Sequence, residues 1–261
     1  MQFALLHALP DSAASKAPPT NQKMDPTTRE ASVILLDALG TLVSLESPAP
    51  RLRAELADRF GLAVSAEQAA EAIAAEIAYY RAHLEEGRDR ASLQALRSRC
   101  AEVLRSALPD AAGIEPSRMV EALLASLRFT AFSDARPALL AARARGQRLV
   151  VVSNWDVSLH DVLQALGLEP LLDGILTSAE VGERKPAPAM FERALALVGG
   201  RPTQAIHVGD SFDEDVAGAR AAGIEAVLIS RDGGEPAPGV PTISSLAELV
   251  DLEPTRRALK S

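Results

Sequence analysis

Four short, largely aliphatic runs, each closing on small polar or acidic residues, constrain this chain of 261 residues more than any other feature. They are Ser32-Val-Ile-Leu-Leu-Asp37, Arg148 to Ser153 (RLVVVS), Ala205 to Gly209 (AIHVG) and Glu225 to Ser230 (EAVLIS), with a weaker fifth at Gly174 to Ser178 (GILTS). Continuous rather than alternating apolar residues suit strands buried on both faces, the condition of a parallel sheet. Helix-period stretches at 135–145, 157–166, 187–198 and 213–222 fall between the later runs, so strand and helix alternate. The pattern predicts a doubly wound α/β fold.

Between the first and second runs the sequence changes character. Only helix-period patterns occur there, at 48–60, 65–86, 90–107 and 116–127, separated by Gly61, Gly87 and the 109–116 stretch. This predicts an all-helical cap domain over 48–127, inserted into an α/β core made of 31–47 and 128–261. Residues 1–30 mix Ala, Ser, Pro, Thr and Asn without periodicity and read as a disordered extension, with Met24 a candidate start.

The formal net charge of −8 disfavours nucleic acid and anionic membrane as partners, while leaving room for an anionic substrate in a locally positive pocket. A single cysteine, Cys100, excludes an internal disulfide and a cysteine-based zinc site and is expected as a small apolar residue on a helix. No run approaches the roughly 18 apolar residues of a membrane span, and Phe3 to Leu9 is too short and lacks the basic flank of a secretory signal. The expected compartment is the cytoplasm. A monomer is the default expectation, with a homodimer as the alternative.

In open parallel sheets the ligand sits beyond the carboxyl ends of the strands. Those ends read Asp37-Ala-Leu-Gly-Thr41, Ser153-Asn154, Gly182-Glu-Arg-Lys185-Pro-Ala-Pro188 and Gly209-Asp210-Ser211-Phe-Asp213-Glu-Asp215. Carboxylates, a hydroxyl and a lysine together suit phosphoryl transfer with a divalent cation: a carboxylate attacking a phosphate dianion needs a hard cation and a compact ammonium to offset like-charge repulsion. Only four of the 27 cationic side chains are lysines, so Lys185 stands out in a chain that otherwise uses arginine. Taken singly, each residue has a plainer reading, Asp37 as a turn former, Lys185 as a surface charge, and Asp213 and Glu214 as first-turn acids of a helix. It is the conjunction at successive strand ends that points to chemistry.

These four segments, in this order, resemble the motifs of the haloacid dehalogenase superfamily, specifically its phosphatase-like members with a helical cap between the first and second motifs. The resemblance covers about 31–47 and 128–250 and implies a Rossmann-like core. It implies Asp37 as nucleophile forming an aspartyl-phosphate, Thr41 positioning the loop and phosphate, Ser153 holding a phosphoryl oxygen and Lys185 neutralising charge. It further implies Mg²⁺ held by Asp37, the backbone carbonyl of Leu39, Asp210 and Asp215, with a small phosphorylated metabolite as substrate.

One position departs from the family pattern. Family phosphatases carry a second aspartate two residues after the nucleophile, where this chain has Leu39. Leucine transfers no proton, and general acid–base help is worth about 10²–10⁴-fold. Three readings follow: a phosphatase using good leaving groups or a substitute acid such as Asp156, Asp213 or a cap histidine; a 2-haloacid dehalogenase; and a catalytically weak protein that binds a phosphorylated ligand or acts as a scaffold. For substrate contacts the sequence offers Asn154 and, late in the second cap helix, Tyr79, His83 and Arg88, with Trp155 as a candidate wall. Tyr79 and His83 are four apart and share a helical face.

Overall fold

The computed structural model describes residues 32–108, 110–233 and 238–249. The extension expected over 1–30, and residues 250–261 of the expected core, lie outside them.

The aliphatic runs form strands where expected. The described strands, in chain order, are β1 Val33–Leu36, β2 Val43–Leu45, β3 Phe129–Ala131, β4 Arg148–Ser153, β5 Gly174–Thr177, β6 Ala205–Gly209, β7 Glu225–Ile229 and β8 Thr242–Ile243. Six of them make one parallel sheet in the order β5-β4-β1-β6-β7-β8, with β1 paired to both β4 and β6 at its centre. Successive side chains leave β1 on opposite faces. Ile34 and Leu36 pack with Leu139, Leu159 and Leu163 on one side; Val33 and Leu35 meet Met190, Phe191 and Ala194 on the other. Burial of each such Leu or Val side chain stabilises the fold by about 1.5–3 kcal/mol, so the centre of the sheet holds its strand ends firmly. The sheet is the Rossmann-like one that the motifs imply.

Helices α1 Pro48–Phe60, α2 Ala66–His83, α3 Arg90–Ala107 and α4 Pro116–Ser126 occupy the long gap and share a separate core around Leu52, Leu56, Leu96, Leu104, Met119 and Leu123. Their ends follow local chemistry. Ser65 and Gln68 form a capping box on α2, Asp89 and Ser92 do the same on α3, and Gly61 ends α1 in the left-handed region at φ 65°. Cys100 is buried on α3, as expected. The helix expected over 65–86 stops at His83, and Leu84–Glu86 tighten into a 3-10 turn that ends at Gly87.

The flanking helices α5 Ala135–Ala144, α6 Ser158–Ala165, α7 Ser178–Val181, α8 Pro188–Val198 and α9 Gly218–Ala221 complete the fold. The stretch expected as one helix over 213–222 instead opens as a π-helical turn, Phe212–Ala217, before α9. Strands β2 and β3, which sequence reading did not find, pair antiparallel where the chain enters and leaves the four-helix insertion. The Ser44 and Thr130 hydroxyls bond across them at 2.8 Å. Arg231 braces the same place: it stacks over the Phe132 ring, donates to the Thr41 carbonyl and pairs with Asp134 at 2.6 Å. Among the described residues no helix is long and apolar enough to cross a membrane.

Candidate active site

Asp37 leaves the carboxyl end of β1, and its N–H donates to Val208 O on β6, which ties it to the neighbouring strand. The chain then turns tightly: Leu42 and Val43 donate back to Ala38 O, and Gly40 donates to Val43 O. Gly40 adopts φ 81°, and a methyl group there would overlap the Asp210 carboxylate. Glycine is therefore required twice over, by backbone angle and by the approach of the two loops. Within this turn no described donor reaches the Leu39 carbonyl.

Ser153, the last residue of β4, donates to Asp37 Oδ1 at 3.0 Å, and Lys185 Nζ donates to the same oxygen at 2.6 Å. Both donors converge on Oδ1. Among the described residues no donor reaches Oδ2. Lys185 is 1% exposed and also donates to Asp215 Oδ1 at 2.6 Å. Its backbone is fixed by Asn154, whose Oδ1 accepts from Lys185 N at 2.7 Å and whose Nδ2 donates to Lys185 O at 3.1 Å and to Glu214 Oε2 at 2.9 Å. Asn154, expected at the substrate, thus spends its amide on placing the lysine.

Asp215 is held from three directions. Its Oδ1 accepts from Lys185 and from His207 Nε2 at 2.8 Å, and its Oδ2 accepts from Ser211 N at 3.0 Å. The π-helical turn makes this possible: Asp215 N and Val216 N both donate to Ser211 O, which widens the turn and swings the carboxylate back toward Gly209. A side chain at Gly209 would collide with it. The His207 ring meets the Phe191 ring at near right angles, 5.0 Å between centroids, and its Nδ1 is buried without a partner among the described residues.

Asp37, Asp210 and Asp215 each present one oxygen, and these oxygens all lie within 4.8 Å of one another. Burial pushes the Asp37 carboxyl up to about 6, with Asp215 adding to the rise and Lys185 opposing it. Asp210 is raised by burial and by Asp215. Burial alone would lift Asp215 and lower Lys185, but their mutual attraction, with His207 on Asp215 and Asp37 on Lys185, leaves the acid well below and the amine above its ordinary range. Three carboxylates share one ammonium, and the site is short of positive charge.

The candidates on α2 make contacts within the insertion. Tyr79 stacks on His83 and accepts from Arg99 Nε at 3.1 Å, while His83 Nδ1 contacts Tyr79 O at 2.7 Å. Both are engaged within the insertion, and Arg88 has no described contact with the acidic cluster. It is Tyr80 that reaches the core, donating to Asp156 Oδ2 at 2.9 Å, alongside a Val157 N to Gly87 O bond and an Arg184–Glu85 ion pair. Trp155 packs on Phe129 as part of the sheet's core. His207 and Tyr80 were missed in the sequence. A histidine inside the AIHVG run was the signal for the first.

In comparison with known proteins, the chain is 37% identical to haloacid dehalogenase-like hydrolase domain-containing protein 3 of Mus musculus over 131 residues, 49% of this chain and 51% of that protein. It is also 37% identical to a phosphoserine phosphatase of Thermus thermophilus over 134 residues, 49% of this chain and 53% of that protein. The chain spans about half the length of these curated relatives. A phosphatase structure from Thermococcus onnurineus matches at a TM-score of 0.61 and 23% identity, covering 85% of this chain and 97% of that one, a likeness of fold. A family model described as haloacid dehalogenase-like hydrolase matches residues 31–223, so this chain, with its Asp37–Ser153–Lys185 cluster at the strand ends, belongs to the haloacid dehalogenase-like hydrolases.

Proposed function

We propose that this hydrolase is a Mg²⁺-dependent phosphatase that cleaves a small phosphorylated metabolite through a phospho-Asp37 intermediate, with residues 48–127 as the cap over the site. The observation that carries the reading is the division of labour on Asp37: Oδ1 is anchored by Ser153 and Lys185, while among the described residues no donor reaches Oδ2. A carboxylate held by one oxygen and open at the other is oriented for nucleophilic attack. Phosphatase-named relatives, the phosphoserine phosphatase among them, support the same chemistry.

The donor set fits a hard divalent cation: oxygen ligands only, within 4.8 Å of one another, with a surplus of negative charge and an unencumbered Leu39 carbonyl beside them. When bound by Asp37, Asp210, Asp215 and that carbonyl, Mg²⁺ would supply charge neutralisation for the phosphoryl oxygens. The remaining work belongs to the chain. Asp37 Oδ2 attacks phosphorus in line with the departing oxygen. Lys185 offsets the charge of nucleophile and phosphate together, and Ser153 stands within reach of a phosphoryl oxygen. Thr41 Oγ1, buried without a partner, is a further donor for the phosphate loop. Water then attacks phosphorus, and the bond to Asp37 breaks to release inorganic phosphate. We place this activity in the cytoplasm, in a monomer without nucleic-acid or membrane partners, in keeping with the net charge of −8.

Release of inorganic phosphate from acyl, aryl and alkyl phosphates, with Mg²⁺ and with chelator, tests the reading. Metal-dependent release that Asp37→Asn abolishes is the expected result. Leu39→Asp is expected to raise turnover of alkyl phosphates by up to about 10²–10⁴-fold. Metal-independent chloride release from 2-chloropropionate would replace the phosphatase by a dehalogenase.

A further inference from the structure

Among the described residues, four large hydrophobic side chains are exposed: Leu39, Leu140, Leu197 and Phe212. Leu140 and Leu197 lie on outer helices, and single apolar residues there are ordinary. Leu39 and Phe212 are different. Each stands two residues beyond an acid of the carboxylate cluster, Leu39 after Asp37 and Phe212 after Asp210. The close approach of Gly40 to the Asp210 carboxylate presses their two loops together. The rim of a strongly charged site therefore carries two bare apolar side chains, 37% and 47% exposed.

Resting on the phosphatase reading, we propose that the substrate is an aryl phosphomonoester of a small phenol, whose ring lies against Leu39 and Phe212. Two features meet in that class. Leu39 and Phe212 reward an apolar ring, and neither side chain can hydrogen-bond a sugar or polyol. Leu39 also supplies no proton, so the leaving oxygen departs as an anion. A phenol is a far stronger acid than an aliphatic alcohol, and its oxyanion is stabilised by the ring. The Asp37 Oδ2–P bond forms as the P–O(aryl) bond breaks. The electron pair stays on the phenolate, which takes a proton from solvent. Water then cleaves the phospho-Asp37 bond and restores the carboxylate.

The test compares kcat/KM for three substrates. Phenyl phosphate has both the ring and the good leaving group, benzyl phosphate the ring alone, and acetyl phosphate the good leaving group alone. Phenyl phosphate is expected to lead both others. Phe212→Ala is expected to lower the phenyl-to-acetyl ratio about tenfold, the loss of one side of an apolar pocket, and Phe212→Leu by less. Calorimetric binding should follow the same order, with the phenylphosphonate-to-methylphosphonate affinity ratio falling in Phe212→Ala. An unchanged ratio in a folded Phe212→Ala protein, or benzyl phosphate turned over as fast as phenyl phosphate, would overturn the assignment and leave the phosphatase standing. No phosphate from any of the three would remove both. Equal turnover of a phosphotyrosine peptide would overturn the small-molecule assignment.

Discussion

Replacing Lys185 with methionine keeps the bulk of the side chain and deletes its charge. In the native protein the ammonium lies 2.6 Å from Asp37 Oδ1 and 2.6 Å from Asp215 Oδ1. The three residues are 1%, 6% and 1% exposed for Lys185, Asp37 and Asp215. Breaking a buried pair by removing one partner costs about 3–5 kcal/mol, because the surviving charge stays desolvated. Here Asp37 loses its one cationic partner while Asp215 keeps His207 and the Ser211 N–H, so a loss within that range is expected at pH 8 without metal. The loss depends on pH in a defined direction. Without Lys185, nothing but Ser153 opposes the rise that burial and Asp215 give Asp37, so the native variant binds more protons there than the unfolded chain. Its stability then falls as pH rises through the raised value and recovers on acidification. Urea denaturation of wild type and Lys185→Met at pH 5 and pH 8, with chelator and with Mg²⁺, reads this directly. The gap between the proteins should narrow at pH 5 and on adding Mg²⁺. A loss at pH 8 below about 1 kcal/mol, the size of a surface pair, or the same loss at both pH values, would refute the charge argument.

Two further outcomes are expected within the helical insertion. Glu76 is buried, and burial raises its pKa, with the Cys100 thiol as its hydrogen-bond partner. An acid raised in the folded state costs stability as pH rises from its ordinary value through the raised one. Glu76→Gln should therefore match wild type near pH 4.5, exceed it at pH 8, and flatten the melting temperature in between; an unaltered slope would place the dependence elsewhere. Tyr80→Phe removes the bond to Asp156 Oδ2, and leaving that acceptor unpaired should cost about 1–3 kcal/mol in denaturant titrations.

The sheet and the strand-end residues were legible because burial on both faces forces continuous aliphatic runs, and polar residues at their carboxyl ends have few structural uses. Lys185 was legible because lysine is scarce in this chain. The pair β2 and β3 was not, since three residues are too few to show alternation. Nor was the choice between Tyr79 and Tyr80: adjacent helical residues point about 100° apart, and only the packing of α2 against α3 decides which one faces the core. The widening of the Phe212–Ala217 turn left no periodic trace either, because six residues are too few to separate a π-helical turn from an α-helical one. Asn154 was read as a substrate contact, and in the structure its amide meets Lys185 and Glu214. Its amide geometry matches a backbone N–H and C=O as well as it matches a ligand.

The antiparallel pair at the root of the insertion has a consequence for how the gene product can vary. Entry and exit lie side by side, with Glu46 N bonded to Arg128 O at 2.9 Å and the Ser44 and Thr130 hydroxyls joined just below. The sheet thus meets everything between them as a single closed loop of near-zero span. An insertion of another length or composition can be seated on the same two strands without shifting the register of β1, β4 or β6. Apart from the Tyr80–Asp156, Val157–Gly87 and Arg184–Glu85 contacts, the inserted helices are thus free to diverge from the sheet at their own rate.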